Sequence, residues 1–157
     1  MTTRLILLIS LVHPLALLAS QDYEKGFYKD LAKFVFGYTV LGEARAWSFD
    51  QLAHQSVVND RLGGRPVLIV FDRETTAVWI YDRTVDGKVL SFERSGTFVK
   101  DRETAGLWDP AKGQAVEGPQ QGKQLKPLVG IVAYRRAWRD FHPDSSYWQA
   151  ETRQGRP

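Results

Sequence analysis

The chain contains no cysteine. That absence excludes a disulfide framework, a thiol nucleophile, an iron–sulfur cluster, a thiolate zinc site and c-type haem attachment. It also excludes lipidation at a cysteine. Histidine is scarce: His13 lies in the leading segment, which leaves His54 and His142, far apart in sequence. Charge of one sign is never concentrated. The 21 Lys and Arg and 18 Asp and Glu give a net charge of +3 and are interspersed, so no nucleic-acid partner is expected. Arg135, Arg136 and Arg139 form the densest basic group and read as a solvated helix face. No phosphate loop or dinucleotide fingerprint occurs, and Gly63-Gly64 reads only as a turn. Ser95 lacks the flanks of a nucleophile elbow.

What is present begins with an address. Arg4 precedes an almost wholly apolar stretch from Leu5 to Leu18, and Ala19-Ser20 supply small residues before the polar Gln21-Asp22. This is the three-part pattern of an export signal, with cleavage expected after Ser20. An uncleaved anchor is the alternative, although the stretch is shorter than the roughly 20 residues of a spanning helix and contains Pro14. The expected organisation is a signal over 1–20, an arm or short helix over 21–33, one globular domain over 34–148 and a flexible tail over 149–157. The expected location is secreted or periplasmic, with no stable membrane span after cleavage. Loss of Arg4 leaves 20 basic residues against 18 acidic ones. Five Trp, six Tyr and eight Phe supply the large rings that a disulfide-free core needs.

Alternation predicts a strand over Phe34–Val40 and a hairpin partner over Ala44–Phe49, with Gly42 in the turn. Asp50 is expected to cap a short helix over Gln51–Gln55. The unbroken apolar run Val67-Leu68-Ile69-Val70 suits a strand buried on both faces. Asp86-Gly87 lies between two β-type segments, Ala77–Arg83 and Lys88–Arg94, and signals a hairpin. Thr97–Lys100 reads as another strand. Tyr134, Ala137, Trp138 and Phe141 are spaced for one helix face, and Pro143 ends the segment. Asp72–Trp79 and Asp101–Trp108 echo each other and read as two similar turns. The fold class that follows is α+β and β-rich: a mostly antiparallel sheet or partly closed barrel with two short helices.

Acid–base chemistry needs paired carboxylates or a carboxylate with a histidine. The candidates are Glu43, Asp60, Asp82, Asp86, Glu93, Asp101 and Glu117. Asp86 and Asp101 are explained by turns. Asp82-Arg83 and Glu93-Arg94 are expected to face each other across the hairpin. Trp108 precedes a Gly- and Gln-rich stretch from Gly113 to Gly122, which reads as a long loop of the kind that often carries function. Trp108 is either a structural ring or a platform for a flat or sugar-like ligand. The candidate ligand-binding set is therefore Asp60, Asp82, Arg83, Arg94 and Trp108, with no cofactor expected and catalytic residues unassigned. Three readings follow: a non-catalytic binding or accessory module for an envelope protein or small ligand, a small hydrolase using Asp60 or Asp82 with Arg83, Arg94 or His54, and a metal- or cofactor-binding domain using His54, His142 and carboxylates.

Taken in order, a set of motifs resembles one prokaryotic family. They are Gly42-Glu43-Ala44-Arg45-Ala46-Trp47, Val57-Val58-Asn59-Asp60, Gly63-Gly64-Arg65-Pro66-Val67, Thr76-Ala77-Val78, Arg83-Thr84-Val85-Asp86-Gly87 and Phe92–Gly96. Asp101-Arg102-Glu103-Thr104, Leu107-Trp108, Gly113–Pro119 with Gly122, and Trp138 with Phe141-His142-Pro143-Asp144 complete it. The family is the domain of unknown function 3179, and the resemblance spans about Val35 to Tyr147. Many members carry a Cys-x-x-Cys pair after the central strand, and Phe71 and Glu74 stand at the equivalent positions here. The resemblance implies the fold and an extracytoplasmic location, no thiol chemistry in this chain, and no particular activity.

Overall fold

The computed structural model describes residues 30–150. The expected export segment, the arm up to residue 29 and the tail from residue 151 lie outside the described residues. A 3-10 turn at Leu31–Lys33 leads into β1 (Phe34–Val40) and β2 (Glu43–Ser48), and α1 (Phe49–His54) follows directly. Then come β3 (Val57–Leu62), β4 (Arg65–Phe71), β5 (Val78–Asp82), the short pair β6 (Thr84–Val85) and β7 (Lys88–Val89), β8 (Phe92–Ser95) and β9 (Phe98–Asp101). The described residues end with β10 (Leu107–Asp109), β11 (Gln114–Glu117), β12 (Lys126–Pro127), β13 (Ile131–Tyr134), α2 (Arg135–Phe141) and β14 (Ser146–Tyr147).

These strands form three four-stranded sheets and one small hairpin. The first sheet has the order β13-β1-β2-β14, the second β12-β5-β4-β3 and the third β11-β10-β9-β8, with β6-β7 apart. The fold is β-rich α+β, its sheets are open, and all pairings are antiparallel except β14 with β2. The sheets are held as layers by shared apolar clusters. Phe34, Phe36, Trp47 and Phe49 pack with Val67, Ile69, Phe71 and Ile80 between the first and second sheets. Leu68, Val70 and Tyr81 pack with Phe92, Val99, Trp108 and Leu125 between the second and third. Alternate residues of a strand point to opposite faces. β4 therefore feeds both clusters, and Val67 to Phe71 are all fully buried.

Local turn chemistry sets most connections. Asp86 and Gly87 both have positive φ (49° and 76°), the conformation of a type I′ hairpin turn. The two echoed segments are the same turn. Asp72 N donates to Ala77 O at 2.8 Å, and Asp101 N donates to Gly106 O at 3.0 Å. Each carboxylate accepts a backbone N–H within its own turn, and the fourth loop residue, Thr76 or Ala105, is left-handed.

Four expectations are corrected. The Asp86-Gly87 hairpin does not extend into long arms: after Leu90 the chain leaves for the third sheet, where β8 pairs with β9 while β5 pairs with β4 and β12. The cause is Asn59, whose side-chain amide accepts from Phe92 N and donates to Phe92 O, both at 2.8 Å, drawing the strand away. The Gly113–Gly122 stretch contains β11 and a tight turn closed by Gln121 N to Gly118 O at 3.0 Å, with Gly122 N bonded back to Ala115 O at 2.9 Å. Asp50 does not cap α1. Ser48 holds the N-cap position, and Asp50 lies in the first turn, bonded to Arg135 at 3.2 Å. In α2 the four-residue apolar face reduces to one ring: Trp138 is buried, Phe141 is 82% exposed and Tyr134 belongs to β13. Trp138 lies over Gly37 of β1, where any Cβ would overlap its ring.

Gly37→Ala is expected to lift Trp138 off the first sheet and destabilise the protein by roughly 1–3 kcal/mol. A fall in the urea midpoint, followed by tryptophan fluorescence, checks this.

Candidate functional site

The five sequence-derived candidates are divided among different settings: Asp60 and Asp82 lie on one face of the second sheet, Arg94 on β8 of the third, and Trp108 in the core. Asp60, Val67 and Asp82 stand opposite one another across β3, β4 and β5, so both carboxylates share the face turned toward the first sheet. Asp60 is occupied there. Oδ1 accepts from Arg45 Nη1 and from Arg61 N, each at 2.7 Å, and Oδ2 accepts from Trp47 Nε1 at 3.1 Å. Asp82 lies 3.9 Å from Arg65 and accepts from Thr84 N. Arg83 donates to Leu90 O at 2.7 Å. Burial first, then repulsion from Arg61, lowers its pKa. Arg94 lies toward the opposite end of the second sheet, beside the Asp72 turn. Burial of Asp72 acts to raise its carboxyl, but the Glu74 and Thr75 hydrogen bonds, with the Arg94 charge, outweigh that and hold it below its ordinary value.

Trp108 is structural. It is fully buried, donates Nε1 to Asp101 Oδ2 at 2.9 Å and meets Phe92 edge-on at 5.7 Å. The expected Asp82-Arg83 to Glu93-Arg94 cross-strand pairs do not form. Glu93 instead pairs with Lys100 at 3.0 Å and Arg102 at 3.2 Å. The Lys100 hydrogen bond and charge chiefly hold its carboxyl below the ordinary value. His54 ends α1, next to the cluster between the first two sheets, whereas His142 follows α2 on the other face of the first sheet. Among the described residues no three His, Asp or Glu side chains gather as a cation would require.

Among the described residues a concavity lies where the start of β2 meets the loop after α2. Parallel pairing of β14 with β2 sets Ser146 beside Arg45 and Tyr147 beside Ala46, which joins segments a hundred residues apart. The cleft is about 530 Å³, and its walls include Glu43, Arg45, Phe141, His142, Asp144 and Ser146. Its groups fall into two kinds. Some are spent on the fold. Arg45 donates Nε to Ser146 Oγ at 2.9 Å besides its Asp60 bond. Ser146 Oγ donates to Ala44 O, and Ser145 Oγ accepts from Trp138 Nε1 at 2.8 Å and donates to Ser146 O. Glu43 accepts from Gly63 N at 3.2 Å. Others are unspent. The His142 ring packs on Trp138 with centroids 4.2 Å apart, but its ring nitrogens and the Asp144 carboxylate have no protein partner among the described residues. The Phe141 ring stands open beside them.

The model of the family described as "Protein of unknown function (DUF3179)" matches residues 19–157. The chain belongs to that family. It is a cysteine-free member, in which Phe71 is a core ring and Glu74 an exposed turn residue. No curated protein and no solved structure matches it. Two of the motifs that carry the resemblance, Gly42–Trp47 and Phe141–Asp144, supply most of the cleft wall. Both segments stand out in the sequence, but helical spacing set Phe141 on the apolar face with Trp138, whereas it is 82% exposed at the cleft. Non-local pairing joins them, so no local pattern reported the cleft.

Two outcomes follow. Arg45→Ala removes a charged hydrogen bond to a half-buried carboxylate and is expected to cost about 1–3 kcal/mol in chemical denaturation. Tyr81 is buried and donates to Pro110 O at 2.8 Å. Burial, then Asp109, pushes its pKa from 10.0 to about 12. Its neutral form therefore stabilises the fold fully below pH 10, and that stability is lost as pH rises through about 12. In Tyr81→Phe this alkaline loss is expected to shrink, at about 1 kcal/mol lower stability near neutral pH. Denaturation midpoints of both proteins across the alkaline range check it.

Proposed function

We propose that the chain is a non-catalytic binding or accessory module that works outside the cytoplasm, and that its ligand seats in the cleft between β2 and the loop after α2. One observation carries this reading. The groups left free in the cleft, His142, Asp144 and the Phe141 ring, are recognition groups, whereas both serine hydroxyls are tied into structural hydrogen bonds. A nucleophile needs a base within hydrogen-bond reach, and neither hydroxyl has one. A pocket with an aromatic wall and a few unpaired polar groups is the usual form of a small-ligand site. The extracytoplasmic part rests on the leading segment, with Arg4, the apolar Leu5–Leu18 stretch and Ala19-Ser20. Among the described residues no helix is long and apolar enough to cross a membrane.

The test titrates the protein with a panel of cell-envelope fragments: muropeptides, neutral oligosaccharides and polyamines. Saturable binding is expected, with NMR shifts at Phe141, His142 and Asp144 and the ligand recovered unchanged. Phe141→Ala with Asp144→Asn should weaken it by at least about tenfold. Chemical turnover of the ligand, or shifts confined to another surface, would overturn the reading. Mass analysis of the exported protein should show a chain starting near Gln21; retention of the full chain in the cytoplasm would remove the location.

A further inference from the structure

A second cleft lies at the other end of α2, and its charged lining is all cationic. It measures about 320 Å³ and is lined by Ala32, Lys33, Tyr134, Arg135, Arg136 and Arg139. Read as a helix alone, the three arginines are a solvated face. The fold adds Lys33, brought beside Tyr134 by the pairing of Phe34 with Tyr134 in β1 and β13. Four cations from the 3-10 turn and from α2 thus surround one depression.

Their countercharges are fewer. Lys33 reaches Asp30 at 3.3 Å and Arg135 reaches Asp50 at 3.2 Å. Arg136 and Arg139 share the single carboxylate of Asp140, each at 3.9 Å, too far for a good hydrogen bond. Four cations therefore face three carboxylates. Most guanidinium donors of Arg136 and Arg139, which are 86% and 66% exposed, remain open. Beside them stands the Tyr134 ring, 52% exposed and packed on Phe34 with centroids 4.9 Å apart. Planar guanidinium forks match the oxygens of a phosphate group, and a ring beside them offers apolar contact to whatever the phosphate is attached to.

We propose that this cleft binds the phosphate group of a ligand whose body lies against the Tyr134 ring. Two sources share that chemistry: a soluble phosphate ester and an anionic phospholipid headgroup.

The experiment uses the full protein with three phosphate probes, namely phenyl phosphate, inorganic phosphate and phosphatidylglycerol vesicles, against benzoate and phosphatidylcholine vesicles. Phenyl phosphate is expected to bind saturably, at least about tenfold more tightly than benzoate, and to weaken with added salt. If only phosphatidylglycerol vesicles bind, the source is the headgroup; if free esters bind, it is a soluble ligand. Arg136→Gln with Arg139→Gln should reduce binding at least about tenfold while leaving the unfolding midpoint unchanged. Arg94→Gln, a charge removal on a distant strand, should leave binding intact. No binding by any phosphate probe, equal binding of benzoate, or an equal loss in Arg94→Gln would each overturn the proposal. Asp144→Asn should not alter phosphate binding, which separates failure here from failure of the cleft between β2 and the loop after α2.

Discussion

The Asp60 carboxylate joins the first sheet to the second. It sits on β3 with its oxygens turned toward β2, where Trp47 and Arg45 donate to it. The next residue back, Asn59, points the other way and grips the backbone of Phe92 in the third sheet. Successive strand residues face opposite sides of a sheet, so two adjacent side chains fasten the middle layer to both neighbours. β4 requires this arrangement. Its five fully buried residues have apolar neighbours on both faces, and the middle sheet would be exposed if either outer sheet shifted. Apolar packing draws layers together without fixing their register. Directional bonds to a carboxylate and an amide fix it, each hydrogen bond to a charged group being worth about 1.5–3 kcal/mol.

The same device recurs at Asp101, which is fully buried and accepts from Trp108 Nε1 and from Thr104 N and Oγ1. A chain without disulfides places large rings in its core, and each indole N–H needs an acceptor there. Trp47, Trp108 and Trp138 find theirs in Asp60, Asp101 and Ser145. This has a functional consequence. Of the groups the sequence suggests for a ligand site, Asp60 is consumed in joining two sheets and Trp108 in the core, and the proposed cleft draws on groups the core does not use.

Legibility followed sequence distance. The buried central strand, the Asp86-Gly87 turn and the paired Asp72 and Asp101 turns were readable because each is set by residues within a few positions of one another. Where β5 and β8 go was not, because the competing partner is Asn59, thirty-three residues before Phe92. The α2 face was over-read for a related reason. Helical spacing placed Phe141 with Trp138, but a seven-residue helix resting on the hollow of Gly37 admits one ring, and the next falls beyond the edge of the contact. The two clefts were invisible because each needs a tertiary pairing: Arg45 with Ser146 across β2 and β14, and Phe34 with Tyr134 across β1 and β13.

Helix α2 borders both clefts, and its shortness explains why. With Trp138 its one buried residue, the helix is held by that ring over Gly37 and by the indole bond to Ser145. Apart from Arg135, which reaches Asp50, its remaining long side chains are exposed. Arg136, Arg139 and Phe141 therefore cost the core nothing. A longer helix packed along the sheet would need an apolar stripe through several turns and would bury the positions that here stay open. Binding groups tend to collect on segments positioned by a rigid scaffold without belonging to it. In this fold the sheets are the scaffold, and a short helix held chiefly by Trp138 and by the Arg135 to Asp50 bond borders both proposed sites.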